Sequence, residues 1–138
     1  DALGDRPDIR IVGDRFVFQS EVLFPPASAQ LSDAAKQRLA IVASALKDIA
    51  TKIPTDIPWV LAVNGYTDKR PINTPQFPSN WELSSARAIT VINYLISQGV
   101  PSDRLAAAGF AEHDPIATGD TEDAYAKNRR IELKLTER

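Results

Sequence analysis

Residues 57 to 66, "IPWVLAVNGY", form a nearly continuous apolar run that follows a turn bracketed by Pro54 and Pro58. Ten residues with β-branched members and little polar alternation fit a strand buried on both faces better than a buried helix. Such a strand needs neighbours along its edges and helices to cover it. The rest of the chain is therefore read for partners of this one segment.

Before it, "IRIVGDRFVF" (9 to 18) alternates on both sides of Gly13, which predicts a hairpin or a bulged strand. Residues 1 to 14 are read as a lead-in with a first strand, and 15 to 138 as the domain proper. Pro25-Pro26 breaks the chain, Ser32 is placed to cap a helix, and Ala35, Leu39, Val42, Leu46 and Ile49 recur at alternating steps of four and three. That spacing predicts an amphipathic helix of about five turns. A second helix is expected over about 81 to 98, with Ala88, Ile92, Leu95 and Ile96 inward and Gly99 at its end.

Residues 106 to 110 read as a third strand, and 122 to 127 as a single helical turn within a polar loop. In 129 to 137, Ile131, Leu133 and Leu135 alternate with charge, which predicts a half-exposed strand, at an edge or antiparallel. The expected fold is a two-layer α/β (α+β) sandwich of order β-α-β-α-β-β on a mixed sheet.

Composition removes several functions. With 138 residues, a net charge of −2 and a pI near 5.4, the chain has the length of one domain and no polyanion footprint, so no nucleic-acid partner is expected. There is no cysteine and only one histidine, His113, which leaves thiolate chemistry out and zinc sites or Ser-His-Asp triads hard to build. No apolar run approaches the roughly 20 residues of a membrane helix. Methionine is absent, so Asp1 is not a translation start and the chain is expected to be a processed product or an excised domain.

No glycine-rich turn follows the central strand, so a nucleotide cradle is rejected. Glu112, His113 and Asp114 are adjacent and converge poorly on one ion, so neither metal nor cofactor is expected. A two-carboxylate hydrolase would use Asp68 and Glu82, but Glu82 lies in a first helical turn, where a carboxylate serves the helix dipole.

Asp68 and Arg87 remain. Asp68 lies just past the C-terminal end of the central strand, where open α/β sheets present ligands, and Arg87 lies in the second turn of the following helix. Leu83 shares the face of Arg87, and Ser79 or Asn80 caps the helix. On residue pattern alone two readings stand level: a surface ion pair, or a site for a zwitterion whose ammonium meets Asp68 and whose carboxylate meets Arg87.

The segments "FQSEVLFPPASAQLS", "GYTD", "LSSARA", "GVPSDRL", "GF" and "NRRIE", in that order, resemble the OmpA-like peptidoglycan-binding domain over about residues 15 to 136. The long stretch "PI…FPSNWELS" and the opening "GDRPDIRIVGDRFVFQSEVLF" are closer to its flagellar stator MotB branch than to its porin or Pal lipoprotein branches.

That resemblance implies a non-catalytic domain that binds the diaminopimelate centre of a peptidoglycan stem peptide. Asp68 and Arg87 match the gripping pair, Thr67, Asn80 and Leu83 match the pocket lining, and Asn128 and Arg129 match the closing motif. It further implies a periplasmic domain anchoring an inner-membrane complex to the wall, with homodimerisation and an upstream stator partner left open. An outer-membrane or Pal-like tether, a cell-wall hydrolase and a pure dimerisation module are the alternatives. Departures are Tyr66 for the usual histidine before "TD", Ala111 for a glycine, and Ala124 and Tyr125 where the family has glycine and arginine. Pro71, Pro75 and Pro78 restrict the long loop, read here as a stiff surface excursion.

Overall fold

The computed structural model describes residues 10–12 and 15–137; of the lead-in expected at 1 to 14, residues 1 to 9, 13 and 14 lie outside them. Strand β1 (Arg10–Val12) pairs antiparallel with β2 (Arg15–Gln19), so the alternation before residue 19 is a hairpin. A short helix α1 (Ser20–Leu23) leads to α2 (Asp33–Lys52), β3 (Trp59–Tyr66), α3 (Asn80–Ser97), β4 (Leu105–Gly109), α4 (Glu122–Asn128) and β5 (Arg130–Glu137).

The sheet order is β1-β2-β5-β3-β4, with β3 and β4 parallel and the other pairs antiparallel. The apolar run thus has neighbours on both edges, as its composition demanded. The last strand is not at an edge: β5 is central, antiparallel to both β2 and β3.

Helices α2 and α3 form the second layer. Ser32 caps α2 by accepting from the Ala35 amide, and Ala35, Leu39, Val42 and Leu46 are buried beneath it. They meet Ala88, Val91 and Leu95 of α3 and Phe18, Leu61, Val63, Ile131 and Leu133 of the sheet in one core. Ile96, expected inward, is exposed; the helix turns its Val91–Leu95 stripe to the sheet, leaving Ile96 one step off that face. Close packing of α3 on β3 requires Gly65, where a Cβ would collide with the Ser84 carbonyl.

The charged positions of β5 depart from expectation. Alternation put them in solvent, yet Arg130 and Glu132 are buried. They lie on the sheet's second face, where Arg130 Nε donates to Glu132 Oε2 at 2.7 Å and its Nη2 donates to the Asp114 carbonyl at 2.9 Å. Arg15 from β2 adds a second guanidinium to Glu132, and the Arg130 fork lies 3.8 Å from the centre of the Tyr66 ring. The loop after β4 closes over this row. Period-two patterning reports which face a residue takes, not whether a later loop covers that face.

Candidate functional site

The C-terminal end of β3 delivers Thr67 and Asp68 to a cavity of about 370 Å³ between the α3 N-terminus and the α1 segment. The Thr67 amide donates to the Ala111 carbonyl and its hydroxyl to the Asp68 carbonyl, so the backbone entering the site is held on two sides. Ser79 caps α3 through the Trp81 amide and bonds Glu82, whose carboxyl it holds below its ordinary range. Asn80 then donates to the Arg70 carbonyl and staples the loop to the helix.

Asp68 is buried and fully engaged. Its Oδ1 accepts from the Arg70 amide at 2.8 Å and from Arg70 Nε at 3.2 Å. Its Oδ2 accepts from Arg70 Nη2 at 2.8 Å and Arg129 Nη1 at 2.7 Å. Burial pushes the carboxyl upward, but these guanidinium bonds outweigh it and hold it below its ordinary value. Arg129 also reaches Glu21 through Nε at 2.6 Å, so one fork spans two carboxylates.

Arg87 is the opposite case. It is only 4% exposed, and its Nε and Nη2 donate to the backbone carbonyls of Ser28 and Pro25 at 2.8 and 3.4 Å, which hold the 24–28 segment against α3. Among the described residues no carboxylate forms an ion pair with it. Burial pulls its pKa down to about 10, partly countered by the charge of Glu21 and reinforced by that of Arg129. A buried guanidinium without an acid partner is costly, and one that borders a cavity can be compensated by an anion entering it.

Thr67, Asp68, Asn80, Leu83, Arg87 and Arg129 all line this one cavity. Asp68 and Arg87 are not an ion pair with each other; they are separate stations on its wall. Asn128 is elsewhere. Its side chain accepts from the Ile116 and Ala117 amides and donates to the Ala117 carbonyl, pinning the loop after β4. His113, weighed as a metal ligand, lies against the Trp81 ring at 5.2 Å.

Sequence reasoning missed Ser20, Glu21, Phe24, Pro26, Ala27, Arg70 and Ile72, which also line the cavity. Pro71 also lines it, so the start of the proline loop is a wall and not only a surface excursion. Ser20 is the notable omission: it is 1% exposed and its Oγ is the single buried side-chain polar atom among the described residues with no hydrogen-bond partner. Nothing in a lone serine at the start of a short helix signals that, because the burial is imposed by distant segments.

The OmpA family model matches residues 23–129. The protein YtxE of Bacillus subtilis is 40% identical over 120 residues, covering 86% of this chain and 46% of the relative. The peptidoglycan-binding protein ArfA of Mycobacterium tuberculosis is 32% identical over 144 residues, covering 92% and 43%. The chain thus spans under half the length of these relatives. Among solved structures, a putative MotB-like protein from Desulfovibrio vulgaris superposes with a TM-score of 0.86 at 28% identity, covering 99% of this chain and 86% of that one. The cell wall anchor of the T6SS from Pseudomonas aeruginosa superposes with a TM-score of 0.78 at 32% identity, covering 94% and 87%. The order of elements, the matched segments and these likenesses agree, and the chain belongs to the OmpA family, as a domain of its MotB-like type.

Proposed function

We propose that this domain binds peptidoglycan without covalent chemistry and that its ligand is the zwitterionic diaminopimelate centre of a stem peptide. The observation that carries the reading is Arg87, buried at the cavity wall with backbone carbonyls as its only hydrogen-bond partners among the described residues. A ligand carboxylate supplies the missing anion, and the Asp68 carboxylate across the cavity receives an ammonium. Relatives named as a peptidoglycan-binding protein and a cell wall anchor support the same polymer.

The setting that follows is periplasmic, with the domain holding an inner-membrane, MotB-like complex to the wall. Among the described residues no helix is long and apolar enough to cross a membrane. Homodimerisation and a stator partner are further parts of the proposal.

Retention on purified sacculi tests it. Wild type should sediment with the wall, while Asp68→Ala and Arg87→Ala should lose about 2 to 5 kcal/mol of binding, as for a truncated, desolvated charge contact. Equal retention of wild type and both variants overturns the site, and release of soluble muropeptides would mark a hydrolase instead.

A further inference from the structure

Asp68 already carries a cation where the proposed ligand would place its ammonium. Arg70 lays its guanidinium along both carboxylate oxygens, through Nε to Oδ1 and Nη2 to Oδ2. Arg129 occupies Oδ2 as well, but its fork is also bound to Glu21 and it is largely covered. Arg70 is different: its side chain is half-exposed, on the loop that begins the cavity wall.

In the same conformation Arg70 has a second set of partners, which can serve as its seat away from Asp68. Its Nη1 donates to Glu122 at 3.0 Å, and its guanidinium lies 4.3 Å from the centre of the Tyr125 ring, both on α4. An arginine that leaves Asp68 can therefore keep an anion and an aromatic face. The Arg70 amide donates to Asp68 Oδ1 independently of the side chain, so the carboxylate keeps its orientation when the guanidinium moves.

We propose that Arg70 is a specificity-determining competitor in the site, holding the Asp68 carboxylate until a ligand ammonium displaces it, after which it stays on the Glu122 and Tyr125 contacts it already makes. The inference rests on the zwitterion reading above. Its consequence is a threshold: an amine must exchange with a bidentate guanidinium before it touches Asp68. A ligand that also brings a carboxylate to Arg87 gains a second contact to offset that exchange, and a simple amine does not.

Calorimetric titration of the domain with meso-diaminopimelate tests this, with pimelate, which lacks the amines, as control. Arg70→Ala should bind diaminopimelate about tenfold more tightly than wild type, the gain expected if the carboxylate is uncapped about a tenth of the time. Pimelate should gain nothing. Arg70→Gln serves as a second variant that keeps the side chain's bulk. Glu122→Gln should weaken diaminopimelate binding about threefold in wild type, by removing the second seat, and should change nothing in the Arg70→Ala background.

Unchanged or weaker binding by both Arg70 variants overturns the proposal. So does a gain shared by pimelate, or a Glu122→Gln effect that persists without Arg70, since either marks a general change of field. Absence of binding to wild type and Arg70 variants alike also overturns it. Retention of wild type on sacculi then shows whether the wall-binding reading survives the loss.

Discussion

Arg129 Nη1 lies 2.7 Å from Asp68 Oδ2, while Nε of the same guanidinium donates to Glu21 at 2.6 Å. One side chain from the residue between α4 and the last strand thus links the exit of the central strand to α1 at the cavity wall. Its own backbone contributes too, since the Arg129 carbonyl accepts from the Ser20 amide.

Arg129→Lys separates charge from geometry. A single ammonium cannot span two carboxylates as the planar fork does. Retention on sacculi should weaken about tenfold, or about 1.4 kcal/mol, with net charge unchanged. Full retention in the lysine variant would show that charge alone suffices at this position.

Ser20→Ala should divide stability from binding. Its hydroxyl is buried without a partner, so its removal relieves a desolvation penalty and should leave the thermal midpoint unchanged or raise stability by about 1 kcal/mol. Because the serine borders the cavity, ligand affinity should fall. Melting curves and sacculus retention on one preparation read both; a clear loss of stability would show an unseen structural bond.

The second face of the sheet offers a stability test remote from the cavity. Glu132→Gln leaves Arg130 buried opposite a neutral amide and also removes the charge facing Arg15. Unfolding by urea should show a loss of about 3 kcal/mol, within the range for breaking a buried pair. Adding Arg130→Met to that variant should recover part of the loss, because the fully buried guanidinium is then gone and only the part-exposed Arg15 still faces residue 132.

Acid should act on Asp68 in a definite direction. Its carboxyl is held below its ordinary value of 3.8 in the folded protein, so the unfolded chain takes up the proton first. Its contribution to stability is therefore complete above about pH 4 to 5, falls as pH drops through 3.8, and is gone below the folded value. In denaturant melts between pH 7 and 2, Asp68→Asn should flatten this part of the acid loss. An identical acid profile in that variant would mean that other carboxylates carry it.

The sequence by itself determined the elements that local periodicity controls. The apolar run before Tyr66, the four-three stripe from Ala35 to Leu46, the Ser32 cap and the helix preceding Gly99 all follow from side-chain spacing along one segment. It also supplied Asp68 and Arg87 as an unusual charge pair, and the ordered motifs marked the family.

Tertiary structure decided what those charges touch. That Asp68 is clasped by Arg70 and Arg129, that Arg87 holds backbone carbonyls instead of an acid, and that Ser20 is sealed without a partner depend on segments up to 109 residues apart in the chain, the separation of Ser20 and Arg129. The burial of Arg130 and Glu132 and the outward turn of Ile96 have the same origin. Periodicity assigns a residue to a face of its own element, whereas burial and pairing are set by whatever else the folded chain lays over that face.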